Sequence, residues 1–287
     1  TAGQTVRKDV LLIASGTVDI LLGGTGTSVL RLTGGQVSGA SGAGSVTKVS
    51  AMAGIQADNI KINGTDSYGP NQTSIILQGG VADGRNPGGG TVVAIADAVL
   101  LAKSTKSANV GGDMILMGGQ TSQVGSALVS ASAQVDPNVL EITVGGNIVL
   151  QSGVGGGTAA RIQNEGDITI KIAGNAPYTY TDTVEGVKTI PKGGFIIIGN
   201  SSSGIFNGQN TPIEGNELPI LISLTGGGSI TRITDNGRGT SLMQSGVKPF
   251  DTSLLNYLIF AANEETQTTR VSAGIGGSDD ANLPACN

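Results

Sequence analysis

Histidine and tryptophan are missing from this sequence of 287 residues, and cysteine occurs once. Without histidine there is no Ser-His-Asp or Cys-His nucleophile system and no histidine-bearing zinc site. The lone Cys286 forms no disulfide within the chain, no cysteine-only metal site and no thioredoxin-type pair. That leaves it as a candidate intermolecular tether. Aromatic residues make up only 3% of the chain, so the ring platforms on which sugar-cleaving sites usually hold their substrates are scarce. The core must instead be assembled from many small aliphatic side chains, which suits thin, repeated layers better than one thick interior.

Positive charge is short as well. Sixteen Lys and Arg against 21 Asp and Glu give a net charge of −5, which argues against nucleic acid or anionic lipid as the main partner. No apolar run is long enough for a membrane helix; the longest, Leu254 to Ala262, contains Asn256. There is no Gly-x-x-x-x-Gly-Lys-Ser/Thr phosphate loop. Gly23-Gly24-Thr25-Gly26-Thr27-Ser28 begins like a calcium-binding repeat but lacks the acid, and no tandem copies follow. Thr1 is not an initiator, and no leader-like segment precedes the first apolar run, so a mature product or a fragment is expected. These absences together predict no cofactor, no metal site and no catalytic residue.

What the chain has in excess is glycine, 48 residues, without the three-residue period of collagen. A hydrophobic content of 38% is too high for a disordered chain. The clearest unit is Val139-Leu140-Glu141-Ile142-Thr143-Val144, Gly145-Gly146-Asn147, Ile148-Val149-Leu150. Apolar residues alternate with polar ones at the period of a half-buried strand. The glycines and Asn147 tolerate the backbone angles of a sharp corner.

The core of this unit, Asp or Asn followed by aliphatic, any residue, aliphatic, recurs at Asp9, Asp19, Asn59, Asp113, Asn147 and Asp167. Weaker copies start at Phe195 and Ser229. Asn147 and Asp167 are 20 positions apart, whereas Asp113 to Asn147 and Phe195 to Ser229 each span 34. Strand, corner, strand at such a period predicts a β-solenoid. Coils of roughly 20 to 25 residues would give on the order of 11 to 14 layers and a rod roughly 50 to 65 Å long. The recurring Asp and Asn are expected to bond backbone at the corners.

Loops rich in Gly, Asn, Ser, Thr and Pro interrupt the pattern at 63–74, 81–90 and 200–219. A hairpin is expected over about 175–192, where Tyr178 and Tyr180 are candidate partner contacts. Residues 1–249 therefore read as the layered body and 250–287 as a second region. In that region Asp251-Thr252-Ser253 precedes Leu254, Leu255, Leu258, Ile259 and Ala262 at helical spacing, predicting a short helix followed by a loop-like tail. Glu264-Glu265 and Asp279-Asp280 lie outside the repeats and read as solvated surface. Asn63, Asn71 and Asn200 occupy glycosylation triplets at about the frequency expected by chance.

Two features resemble the filamentous-haemagglutinin-like exoproteins of two-partner secretion in Gram-negative bacteria. One is the repeated Gly-Gly-Asn/Asp-Ile-x-Leu unit at Gly112-Asp113, Gly146-Asn147 and Gly166-Asp167. The other is similar to a C-terminal module of that family: Phe250-Asp251-Thr252-Ser253-Leu254-Leu255-Asn256-Tyr257, Ala261-Ala262-Asn263-Glu264-Glu265-Thr266 and Leu283-Pro284-Ala285-Cys286-Asn287. The family's N-terminal secretion domain has no counterpart here, and Cys286 stands alone where some members carry a cysteine pair. The resemblance implies a right-handed parallel β-helix, secreted to the cell surface through an outer-membrane partner. It also implies a role in adhesion, biofilm or surface structure. The expected partners are host or sibling-cell surface components and, by end-to-end stacking, other copies of the chain. A polysaccharide-cleaving enzyme and a ligand-binding module centred on the 175–192 hairpin are the competing readings.

Overall fold

The computed structural model describes residues 4–23, 27–64, 72–125, 127–136, 139–164, 168–199, 203–207, 220–233, 235, 238, 258–262 and 268–271. Among them every regular element is a strand, nearly all pair in parallel, and none is a helix. The pairing follows one rule. Each strand lies beside the strand that occupies the same place one pass later in the chain. Ser28–Thr33, Thr73–Gln78, Met114–Met117, Ile148–Gln151, Gly194–Ile198 and Ser229–Ile233 form a six-stranded sheet in that order, one strand per pass.

A longer sheet faces it. Its central strand, Ala98–Val110, pairs along its length with Ala53–Asn63 on one side and with Ala133–Asp136 and Val139–Val144 on the other, with an irregularity between Ala102 and Thr105. Ile168–Ile172 and Ile220–Leu224 continue the ladder beyond Val139–Val144. Inward residues of the two sheets alternate with outward ones, as the pleat requires. They stack as one aliphatic core that includes Ile60, Ile62, Leu77, Leu116, Ile142 and Leu150.

Lys106 breaks this stack. It is fully buried, in register between Ile60 and Leu140, and its Nζ has no hydrogen-bond partner among the described residues. Burial pushes its amine well below the usual lysine range.

A second, smaller core sits to one side. A four-stranded sheet (Gln4–Arg7, Val46–Ser50, Thr91–Ile95 and Leu128–Ser130) faces a three-stranded one (Gln36–Ala40, Val81–Asn86 and Gln120–Gly125). Between them lie mainly valine and alanine, such as Val37, Ala82, Val92, Ala94 and Val129. A waist of bare backbone separates the two cores. Gly35, Gly80, Gly119 and Gly153 donate their N–H groups to the carbonyls of Ala51, Ala96, Ala131 and Thr158 at 2.7, 2.6, 2.7 and 2.8 Å. At Gly79 an added Cβ would lie 2.0 Å from the Ala131 oxygen, and at Gly118 it would lie 1.7 Å from that of Thr158. Glycine stands at those two positions because the chains come too close for any side chain. After the fourth strand of the six-stranded sheet, Ile148–Gln151, a short turn through Gly155 and Gly157, both at positive φ, replaces the side core.

Four expectations change. The segment 81–90, expected as a loop, begins with the strand Val81–Asn86, and the other three concern the layers and the C-terminal region. First, the 20-residue step from Asn147 to Asp167 is not one layer. Ile148 pairs with Phe195, and Ile168 pairs with Leu140 in the other sheet. Asp167 itself lies outside the described residues. A strand with one buried face looks alike in every sheet, so its motif does not tell the neighbour around the corner from the neighbour above.

Second, the passes are correspondingly larger and fewer. The six stacked strands of the six-stranded sheet span only about 24 Å at ~4.8 Å per step. Third, within the expected C-terminal helix, Leu258–Ala262 is a strand, parallel to Ile220–Leu224 and antiparallel to Thr268–Val271. The run Leu258-Ile259-Phe260 suits a strand as well as a helix, and the open edge of Ile220–Leu224 supplies the hydrogen bonds that decide it. The rest of that helix and the tail lie outside the described residues.

Candidate functional site

The corner Asp and Asn residues bond the backbone of the following pass. The Asp9 carboxylate accepts from the Met52 N–H at 3.0 Å and the Ser50 hydroxyl at 3.1 Å. Asp97 accepts from the Ser132 N–H and the Ser130 hydroxyl, both at 2.7 Å. Asp113 accepts from the Asn147 N–H at 2.7 Å, and Asn147 in turn accepts from Gly194 N–H at 2.9 Å while donating to the Ala176 carbonyl at 3.3 Å. Burial raises the carboxyls of Asp97 and Asp113 above the ordinary range, opposed by the hydrogen bonds each receives. These acids act on backbone, and no group of three or more metal-ligating acids or cysteines occurs among the described residues.

Replacing Asn147 with alanine leaves the buried Gly194 N–H and the Ala176 carbonyl without this partner. The expected loss is about 2 kcal/mol, read as a lower urea midpoint at unchanged slope. A midpoint equal to wild type would show that this corner contributes nothing to holding adjacent passes together.

The hairpin consists of Tyr178–Asp182 and Gly186–Ile190, antiparallel, with Tyr180 opposite Lys188. Asp182 accepts the N–H groups of Val184 and Glu185 at 2.8 and 2.9 Å and closes the turn, with Gly186 at φ 77°. Those two bonds hold the Asp182 carboxyl below its ordinary range. Tyr180 and Ile190 are buried against Val149, Ile196 and Ile198 on the outer face of the six-stranded sheet, and Tyr178 is half-buried in the same cluster. Burial lifts both phenols, aided at Tyr178 by the Asp113 charge. Both hydroxyls therefore stay protonated at neutral pH.

A buried ion pair fastens the hairpin at this place. Arg238 Nε lies 2.8 Å from Asp235 Oδ2, its Nη1 donates to the Ser152 carbonyl at 2.8 Å, and its Nη2 donates to the Thr181 carbonyl. Asp235 also accepts the Thr183 N–H at 3.0 Å and the Thr183 hydroxyl. The two tyrosines thus form part of an apolar contact between hairpin and sheet. Cys286, Asn71 and Asn200 lie outside the described residues. Asn63 is exposed at a strand end and donates to Asp19 at 3.5 Å.

Where the six-stranded sheet meets the three-stranded one, the glycine corners floor an open groove of about 590 Å³. One wall carries Thr33, Gln78, Met117 and Gln151, in register on four successive passes. The other carries Gln36, Val81, Gln120 and Val154, likewise in register. Arg238, already engaged by Asp235, closes one end. The groove was not foreseen, although its signal is in the sequence. Gly34-Gly35, Gly79-Gly80, Gly118-Gly119 and Ser152-Gly153 recur at steps of 45, 39 and 34 residues, each flanked by Gln on one side.

Comparison with protein-family models, with curated proteins and with solved structures finds no match. No helix among the described residues is long and apolar enough to cross a membrane.

Proposed function

We propose that this chain is a non-enzymatic, extracellular structural or adhesive rod at the surface of a Gram-negative bacterium. It would be built as a right-handed parallel β-helix of the filamentous-haemagglutinin-like kind and exported through an outer-membrane partner. The observation that carries the reading is the parallel register of six successive passes in one sheet. A stack of this kind grows by repetition and displays its corners and hairpins at fixed intervals. The repeated Gly-Gly-Asp/Asn unit and the C-terminal sequence add the family resemblance.

Its mechanism is geometric. Loops on a stiff stack present many weak contacts to a host or sibling-cell surface, and these add by multivalency. The strands of the first pass bear exposed apolar residues, among them Val10 at 76% and Leu21 at 84%. A further layer laid against them would continue the ladder, and a second copy docked there would supply one. Such head-to-tail contacts do not close and give filaments.

Electron microscopy of the purified protein across a concentration series tests this. Rods that lengthen with concentration in steps of one molecule are the expected result. Dispersed single particles at the highest concentration would remove the stacking mechanism.

A further inference from the structure

We propose that the groove along the glycine corners binds a neutral, extended glycan whose successive sugars face opposite ways, as in cellulose- and chitin-type chains. The chemistry of the lining sets the ligand class. The floor offers little, because its backbone groups are already used. Gly34, Gly79 and Gly118 donate to Gln78, Met117 and Gln151 carbonyls, and the Gly35, Gly80 and Gly119 carbonyls accept from Val81, Gln120 and Val154. Recognition therefore falls to side chains, and apart from Arg238, which Asp235 neutralises at one end, the groove presents carboxamides rather than charge. The side-chain amides of Gln36, Gln78 and Gln120 line the groove and make no hydrogen bond among the described residues. A carboxamide both donates and accepts, which matches a hydroxyl and suits neither a bare anion nor a cation.

The arrangement narrows the class further. Gln36 stands on the three-stranded wall, Gln78 on the six-stranded wall and Gln120 back on the first. Gln151 follows on the second, its amide oxygen held by Arg238 at 2.9 and 3.1 Å. Opposite each of the last three is an apolar side chain: Val81 faces Gln78, Met117 faces Gln120, and Val154 faces Gln151. The amide thus changes sides at every ~4.8 Å step, set against an apolar side chain in the last three passes and against Thr33 in the first. A chain of hexoses in which every second unit is turned over advances by nearly the same distance per unit. It brings the same hydroxyl edge alternately to one wall and the other, while its apolar ring faces lie toward the floor and the opening. Chains that coil, as starch-type glucans do, lose this register after one or two sugars. The lack of aromatic rings keeps each contact weak, so affinity is expected to depend on filling several passes at once.

The inference rests on the groove's geometry and does not require the surface-display role proposed above. The test uses the full chain, with cello- and chito-hexasaccharide, their disaccharides and malto-hexasaccharide as probes. Binding is followed by calorimetry and by the side-chain amide signals of the glutamines in NMR spectra. The extended hexasaccharides are expected to shift the signals of Gln78 and Gln120 and to bind roughly tenfold more tightly than their disaccharides. Gln78→Ala combined with Gln120→Ala is expected to weaken binding by at least tenfold while leaving the thermal midpoint unchanged, because both side chains lie at the surface. Absence of binding to either extended hexasaccharide overturns the proposal. Equal binding of malto-hexasaccharide, or shifts confined to residues outside the groove, overturns it as well. The NMR arm is read on the unaltered protein and stands even if the double variant folds poorly. Failure of filament formation leaves these readouts untouched, so the two proposals fail separately.

Discussion

Replacing Lys106 with methionine is expected to stabilise the protein by several kcal/mol at neutral pH, the order of the cost of burying an unpaired ionisable group. The side chain lies wholly inside the main aliphatic stack, between Ile60 and Leu140, and its nitrogen has no partner among the described residues. Folding must therefore either strip the proton from the amine or bury a bare cation, and removing the proton costs less. Methionine has nearly the same length and flexibility and asks for no such concession.

The pH dependence gives the sharper signature. The unfolded chain keeps its lysine proton up to a pKa of about 10.4, whereas the folded chain loses it well below that value. Across the interval the unfolded state binds more protons, so wild-type stability should rise with pH by about 1.4 kcal/mol per unit. This contribution ends where the unfolded lysine itself deprotonates. Urea unfolding of both proteins between about pH 7 and pH 9 would show a slope for wild type and its loss in Lys106→Met. Parallel curves, or a less stable methionine variant, would mean that Lys106 is paired and charged in solution.

Substituting Gly118 by alanine should have a comparable effect in the opposite direction, a loss of more than ~3 kcal/mol. The added methyl would stand 1.7 Å from the Thr158 carbonyl oxygen and 2.5 Å from the Gly153 nitrogen. Both obstacles are backbone, so no side-chain rotation relieves them. The waist would have to open, taking with it the hydrogen bond from Gly153 to Thr158 at 2.8 Å. Gly156 provides the control, with open space around its α-carbon and no positive φ. Alanine there should be neutral, or stabilising by a few tenths of a kcal/mol through the unfolded chain. The comparison is a pair of chemical denaturation curves. Coincident midpoints for Gly118→Ala and Gly156→Ala would disprove the close approach at the waist.

Much of the layered architecture is legible in the residues. The spacing of 34 from Asp113 to Asn147 is the register of the six-stranded sheet, where Met114 lies beside Ile148. The hairpin turn is also readable, since Asp182 and Gly186 are the residue types that close one. What misleads is the short pattern of alternating apolar residues. It repeats wherever a strand has one dry face, so Asn147 and Asp167 look like stacked equivalents although Ile148 and Ile168 belong to different sheets.

The C-terminal run misleads for the opposite reason. Leu258 to Ala262 has no strong intrinsic preference, and a partner strand distant in sequence determines its conformation. The groove stayed hidden because its walls are single residues on either side of a corner, brought together only by stacking. The Gly-Gly pairs were the readable part. They stand where a backbone crossing admits no side chain, and their steps of 45, 39 and 34 shorten as the side core narrows.

The corner acceptors also have a direction. Asp9, Asn59, Asp97, Asp113 and Asn147 each receive an amide from the pass that follows in the chain, at Met52, Thr105, Ser132, Asn147 and Gly194. In a polypeptide that emerges from its N-terminus, every one of these oxygens exists before the amide it will bind. A completed layer is thus a template already charged for the next. Accretion from the N-terminal side can proceed one layer at a time, with no need for the distal segment to be synthesised first.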